Sequence, residues 1–166
     1  MIPATRRSPC AVSARASIAT SRSLMERSDS PPTPNGVPMI DHVSVMVSDF
    51  ARSRAFYLQA LAQTGHSKLV ELPAAPGGHA QTAGFCHADG SDFWISQGDP
   101  KGPPIHLAFR VPSRAAVDAF HEAAIAAGGR DNGAPGLRPN YHPNYYGAYV
   151  LDPDGHNIEA VCHEAQ

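Results

Sequence analysis

The sequence has few cysteines, and its first part has no long apolar run. Cys10, Cys86 and Cys162 are an odd number without paired spacing, which indicates reduced thiols rather than a disulfide framework. No apolar stretch within residues 1–36 is long enough for a secretory signal or a membrane-spanning helix. We therefore expect a cytoplasmic protein that does not associate with membranes.

Acidic residues are also scarce at the start of the chain. Residues 1–36 hold five arginines, seven serines and five prolines but only two acids, a composition typical of organelle transit peptides. The plainer interpretation is a disordered extension, or translation that starts at Met39, because Pro31, Pro32 and Pro34 interrupt the chain before any regular pattern begins. We predict an extension over residues 1–38 and one domain over residues 39–166.

The rest of the chain lacks the positive charge that nucleic acid binding requires. Eight basic and thirteen acidic residues follow residue 36, which gives a net charge of about −5. A mildly acidic domain disfavours nucleic acid as a partner.

The domain reads as an internal repeat of one strand, one helix and three more strands. Apolar alternation predicts a strand over 40–48, and the helix over 50–64 is capped by Ser48 or Asp49 and ends at Gly65. Strands are predicted over 66–72, 81–89 and 91–97, with a tight turn at Asp89-Gly90. The second unit begins with a strand over 105–111 and a helix over 113–127. A long loop over 131–147 then leads into a closing hairpin around Asp154-Gly155.

A shift of 64 residues superimposes the two halves. His42 meets His106, Phe56 meets Phe120 and Gly65 meets Gly129, while near the ends the shift becomes 65. The sequence therefore predicts an α+β fold of two tandem βαβββ units, about residues 40–99 and 104–163. We expect a curved mixed sheet with helices outside and a concave cavity.

Three residues of this repeat carry the expected chemistry. His42 and His106 occupy equivalent strands, and Glu159 lies in the last strand among apolar neighbours. A carboxylate directed into a protein core costs several kcal/mol unless it is paired or bound to a cation. Two imidazoles and one carboxylate are the ligand set of a catalytic divalent metal site. A single strand histidine is usually a hydrogen-bonded core residue, but the matched pair and the glutamate together favour metal ligation.

The segments DHVSVMVSD, IHLAFRV and DPDGHNIEAV resemble the vicinal oxygen chelate superfamily, which includes glyoxalase I, fosfomycin-resistance transferases, bleomycin-resistance proteins and extradiol dioxygenases. The resemblance implies paired βαβββ units and one divalent metal ion, iron, manganese, zinc or nickel, held by His42, His106 and Glu159. It also implies a small-molecule substrate that binds the metal through two neighbouring oxygens, and a homodimer. Within the family, glyoxalase I-like enzymes carry a second carboxylate in the first unit. Here that position falls on Trp94 or Ile95, so strict glyoxalase I activity is disfavoured.

Further site residues are expected from the same comparison and from the long loop. Tyr149 corresponds to a tyrosine that orients substrate in extradiol enzymes, and with Glu159 it is our candidate catalytic pair. Trp94 is a candidate cavity wall, and Arg138, Tyr141 and Tyr145 are candidates for substrate contacts, with Arg138 suited to an anionic group. A structural role in the sheet or loop is the alternative for each of these residues.

We expect a metal-dependent lyase, isomerase or dioxygenase. The alternative is a non-catalytic protein that binds a small ligand, as bleomycin-resistance proteins do. An intact set of metal ligands disfavours this alternative, because such members generally lack the ligands. The histidines His66, His79, His121, His156 and His163 are interpreted as surface or incidental residues.

Overall fold

The structure is a computed structural model that describes residues 40–87 and 90–165. The first unit contains strand β1 (Val43–Val47), helix α1 (Phe50–Ala60), a 3₁₀ turn (Leu61–Thr64) and strands β2 (Lys68–Leu72), β3 (Thr82–His87) and β4 (Gly90–Gln97). The second contains β5 (His106–Arg110), α2 (Arg114–Ala126), β6 (Arg130–Leu137), β7 (Tyr146–Leu151) and β8 (Asn157–Cys162). The expected extension over residues 1–38 and part of the turn at Asp89-Gly90 lie outside the described residues.

The two units have the same topology. Their four-stranded sheets run in the orders β1-β4-β3-β2 and β5-β8-β7-β6, and in each sheet the first strand is parallel to its neighbour while the other pairs are antiparallel. A strand pairs in parallel only after a crossover connection, which α1 and α2 provide. The predicted α+β fold of tandem βαβββ units is confirmed, as two separate sheets.

The helix boundaries follow the predicted signals. The Asp49 carboxylate accepts a hydrogen bond from the Arg52 backbone amide at 3.0 Å, and the Ser113 hydroxyl accepts one from the Ala116 amide at 3.2 Å. Such side chains satisfy amides that have no partner within the helix. Both helices are followed by glycines in the left-handed region, Gly65 and Gly128, each with φ of 93°.

The expected long loop over 131–147 is wrong in its first half. Residues Arg130–Leu137 form strand β6 beside β7, although the segment contains Gly133, Pro135 and Gly136. The pairing register shifts on both sides of Gly133, which has φ of 155°. Glycines and a proline predict turns, but in a bulged edge strand they are tolerated because bulges interrupt the ladder.

Two histidine expectations also need correction. His66 and His156 are buried, not surface residues. Cys162 is a free thiol buried in the core. In the described part of the chain, no helix has the length and apolar character that a membrane crossing needs.

One face of each sheet packs into a shared core. Val45, Val47, Phe93 and Ile95 lie on that face of the first sheet, and Val150, Ile158 and Ala160 lie on that face of the second. Helices α1 and α2 contact each other, and the Phe93 and Phe109 rings meet edge to face at 5.7 Å between centroids. The core thus lies between the units, and the opposite face of each sheet is left open.

The turn between β7 and β8 fastens the second unit to the first. Asp152, 5% exposed, accepts hydrogen bonds from the backbone amides of Asp154 and His156 on one oxygen and from the Tyr57 hydroxyl of α1 on the other, at 2.6 Å. The Asp154 carboxylate accepts bonds from the backbone amide and hydroxyl of Ser48. Both oxygens of this buried carboxylate have hydrogen-bond donors, one of them from the other unit, so this turn is a fixed joint between the units.

We predict that Tyr57→Phe lowers the free energy of unfolding by about 1–3 kcal/mol, because one oxygen of a buried carboxylate loses its donor. Tyr146→Phe is the matched control: its hydroxyl donates to the exposed Asp118 at 2.8 Å, so its loss costs about 0.5 kcal/mol or less. Urea unfolding measures both. Equal midpoints for the two variants would contradict the role given to Asp152.

Candidate functional site

The open face of the second sheet brings His106 and Glu159 together. His106 is the first residue of β5, and Glu159 lies in β8 beside Ala108, two residues further along β5. Strand side chains alternate between faces, so both residues lie on the side opposite the core residues Ile158 and Ala160. The His106 Nε2 and Glu159 Oε2 atoms are 3.1 Å apart.

Glu159 is enclosed although it lies on the open face. It is only 1% exposed, and its Oε1 accepts a hydrogen bond from the Tyr145 hydroxyl at 2.6 Å. Gly147 makes room for this oxygen, since a Cβ there would lie 2.9 Å from Oε1. Burial and the bond to Glu159 raise the pKa of Tyr145, so its hydroxyl stays a donor at neutral pH. Glu159 therefore has polar neighbours in His106, Tyr145 and Tyr149.

Asn157 contacts the Nδ1 atom of His106. The His106 Nδ1 atom lies 3.1 Å from the Asn157 carbonyl oxygen and 3.0 Å from its side-chain amide nitrogen. The carbonyl accepts from a protonated Nδ1, while the amide donates to an unprotonated one. Asn157 can thus serve either tautomer. With the proton on Nδ1, the Nε2 lone pair is available to a cation, the usual arrangement for a metal-binding histidine.

Two of the three expected metal ligands are therefore neighbours, and the third is not. His42 precedes β1, is exposed, and its Nδ1 pairs with Asp41 at 2.7 Å. Within residues 40–87 and 90–165 no three His, Cys, Asp or Glu side chains are grouped closely enough to hold a metal ion. The sequence left open whether His42 and Glu159 meet within one chain or between two, and in the described residues of the single chain His42 is not grouped with the His106–Glu159 pair. The imidazole nitrogen and carboxylate oxygen that do meet fit zinc, manganese, iron or nickel chemically.

The strand register identifies the counterpart of Glu159 in the first unit. Trp94 pairs with Ser44 and Gly84, as Glu159 pairs with Ala108 and Tyr149. Of the two predicted counterparts, Trp94 rather than Ile95 is the equivalent residue, and Ile95 is buried in the core. An indole cannot bind a metal ion, so the first unit offers no second carboxylate at this position.

Tyr149 lies beside Glu159, and Arg138 lies over Tyr149. Tyr149 is directly opposite Glu159 in the β7–β8 register, and burial and the Glu159 charge raise the pKa of its hydroxyl. The Arg138 guanidinium lies over the Tyr149 ring at 5.5 Å, and it donates to the Ala134 carbonyl at 2.7 Å. These contacts place a neutral phenol next to the carboxylate and a positive charge over the ring of that phenol.

An aromatic cluster surrounds Tyr145. Its ring centroid lies 4.9 Å from Tyr141, 5.4 Å from His142 and 5.1 Å from His163. The two histidine rings stack, and His142 Nε2 and His163 Nδ1 are 2.7 Å apart. The sequence placed His142 in a loop cluster that could close over a ligand, whereas it indicated only a surface or incidental role for His163, which in fact joins this cluster. Alternation along β8 provides a signal for His163, since it continues the face of Asn157 and Glu159.

A family model matches the part of the chain that contains these residues and strands. Residues 39–160 match the model described as the Glyoxalase/Bleomycin resistance protein/Dioxygenase superfamily. The chain belongs to this superfamily. The resemblance inferred from the sequence motifs is thereby confirmed. The matched region contains both His106 and Glu159.

Solved structures of the superfamily share the fold. A glyoxalase/bleomycin resistance protein from Albidiferax ferrireducens T118 is 31% identical, with a TM-score of 0.61 over 75% of this chain and 99% of that one. A glyoxalase/bleomycin resistance protein/dioxygenase family enzyme from Burkholderia phytofirmans PsJN is 20% identical, with a TM-score of 0.56 over 75% and 98% of the two chains. The fosfomycin resistance protein FosX from Listeria monocytogenes is 21% identical, with a TM-score of 0.57 over 77% and 95%. A comparison with curated proteins gives no significant match.

A cleft elsewhere on this superfamily member is separate from the site. It measures about 430 Å³ and lies between Arg52, Arg130 and the turn at Asp152 to Gly155. None of the candidate site residues lines it. We therefore assign it no part in the chemistry around Glu159.

We predict that Gly84→Ala displaces Trp94, because a Cβ at this position would lie 2.8 Å from three atoms of the indole. Trp94 is the sole tryptophan of the chain, so intrinsic fluorescence reports on it alone. We expect emission at longer wavelength and a loss of about 1–3 kcal/mol in stability from overpacking. Gly102→Ala is the control, with no atom within 4 Å of the added methyl. Identical emission from both variants would show that the indole does not cover Gly84.

Proposed function

We propose that this protein is a divalent-metal-dependent enzyme that acts on a small molecule bound through neighbouring oxygens. The observation that carries this proposal is the approach of His106 Nε2 to Glu159 Oε2 at 3.1 Å, with the carboxylate buried. A cation at this point would stabilise a charge that is otherwise costly to bury. Superfamily membership supports the same reading, because a metal ion is common among members.

A second copy of the chain would complete the site. In the described residues His42 is not grouped with the His106–Glu159 pair, and strand alternation places it on the same open face of the first sheet as Met46. That face carries Met46, which is 57% exposed, and Trp94. In a homodimer, the first unit of one copy would bring His42 to the second unit of the other.

The roles of the other residues follow from their charges and contacts. Tyr149, neutral because its pKa is raised, would donate a hydrogen bond to a substrate oxygen as negative charge develops there. Arg138 would bind an anionic substituent. Tyr141 and Tyr145 would line the polar side of the substrate cavity, and Trp94 would form an apolar wall of the same cavity. Glu159 would serve as both metal ligand and, when released from one contact, proton acceptor.

When bound, the metal ion would supply Lewis acidity that polarises a substrate oxygen. His42, His106 and Glu159 would hold it. Three protein ligands leave positions for the substrate. We place the enzyme in the cytoplasm, as its composition favours, with organelle targeting by residues 1–38 as the alternative.

We predict that the purified protein binds one divalent ion per site and that His42→Ala, His106→Ala and Glu159→Gln each weaken binding more than about 100-fold. This exceeds the 10- to 100-fold loss typical of an outer-shell change. His79→Ala is the control, since this exposed side chain bonds the carbonyl of its neighbour Ala80 and is not a residue of the candidate site. Metal analysis after dialysis measures the result. Metal-free protein that still binds an organic ligand tightly would favour the non-catalytic alternative.

A mixing experiment tests whether the site forms between copies. His42→Ala and Glu159→Gln proteins should each be metal-free, but their heterodimer would contain one intact site and one doubly altered site. After unfolding and refolding together, about a quarter of all sites should recover metal, given random pairing in a two-fold dimer. Recovery of no metal, with both variants folded, would place the ligands within one chain or reject the shared site.

A further inference from the structure

We propose that Tyr145 is a positioning residue that fixes which oxygen of Glu159 is available to the metal ion. This inference rests on the proposed function, and it goes beyond a substrate contact for Tyr145. The Tyr145 hydroxyl donates to Oε1 at 2.6 Å, while Oε2 lies 3.1 Å from His106 Nε2. One oxygen is therefore held away from His106, and the other is presented beside it.

The position of Oε1 is constrained from two sides. Gly147 pairs with Val161 in the neighbouring strand, and a Cβ on it would lie 2.9 Å from Oε1 and 3.2 Å from the Tyr145 ring. The oxygen thus occupies space that only glycine leaves free. Because Glu159 is 1% exposed, no bulk water is available to replace the Tyr145 hydroxyl as a donor. Tyr149 also interacts with the Glu159 side chain and with Tyr145, but the bond at 2.6 Å from the Tyr145 hydroxyl is the one that ends on Oε1.

The Tyr145 ring is in turn fixed by its loop. The Arg138 amide donates to the Tyr145 carbonyl at 2.7 Å, and the Tyr145 amide donates to the His142 carbonyl at 3.1 Å. His142 bonds His163, which follows β8, so the loop is tied to the strand that carries Glu159. Tyr145 therefore connects residues 138–145 to the carboxylate, and a change in this loop would reach Glu159 through one hydroxyl.

The test compares Tyr145→Phe with Tyr146→Phe in the full-length protein. Both lose a hydroxyl that donates to a carboxylate, but the Tyr146 hydroxyl bonds Asp118 on the helix α2 side. Co²⁺ is the probe, with affinity measured by chelator competition and geometry by its visible absorption. We expect Tyr145→Phe to raise the Kd for Co²⁺ by 10- to 100-fold, as for other outer-shell changes, and to change the absorption bands. Tyr146→Phe should leave both near the wild-type values.

A second variant keeps the proposal open to refutation if Tyr145→Phe folds poorly. Gly147→Ala keeps the Tyr145 hydroxyl, but the added methyl group would collide with Oε1 of Glu159, so this variant should weaken Co²⁺ binding as well. Gly102→Ala is its control. Thermal unfolding without metal gives an independent readout: Tyr145→Phe should melt lower than Tyr146→Phe because a buried oxygen loses its donor. Wild-type Kd, spectrum and melting temperature in Tyr145→Phe would overturn the inference alone. Absence of Co²⁺ binding by the wild-type protein would overturn the proposed function and the inference together.

Discussion

The buried carboxylate of Asp152 is the interaction on which the arrangement of the two units depends. It closes the β7–β8 turn through two backbone amides and accepts the Tyr57 hydroxyl from the other unit. Burial and the negative charge of Asp152 raise the pKa of Tyr57 far above its ordinary value, so the donor remains protonated. Because Asp154 of the same turn also binds Ser48 ahead of α1, the second unit is fixed to the start of the first helix. The core then forms between the units, and both open sheet faces point away from it.

This arrangement explains why one chain holds only part of the expected metal site. His106 and Glu159 belong to one sheet, so strand pairing alone brings them together. His42 belongs to the other sheet, and its position relative to Glu159 depends on how units pack. The core between the units prevents the two open faces of one chain from closing on each other. In the proposed homodimer, a second molecule would supply the residue that the proposed site lacks in one chain.

The parts of the structure that were predictable from sequence are those determined by local pattern and repetition. Helix caps at Asp49 and Ser113 are short-range signals, and the offset between His42 and His106 revealed the shared topology. Strand β6 was missed because its glycines and proline favour turns locally, whereas its pairing with β7 depends on a distant strand. The bond between Tyr57 and Asp152 and the stack of His142 on His163 join residues 95 and 21 positions apart. The periodicity of apolar residues along the sequence does not indicate contacts between such distant residues. Likewise, only the register of strand pairing shows that Trp94, and not Ile95, is the counterpart of Glu159 in the first unit.

The substitution of an indole for a carboxylate at the register position of Glu159 makes the two open faces chemically different. One face carries Met46 and Trp94, which are apolar, and the other carries Glu159, His106 and Arg110, which are charged or ligating. In the proposed dimer these unlike faces would meet, so each cavity would have one apolar wall and one polar wall. A ligand suited to both would have neighbouring oxygens at one end and an apolar body at the other. Since Tyr145 links the polar wall to residues 138–145, the loop that would contact such a ligand is also the loop that orients the carboxylate.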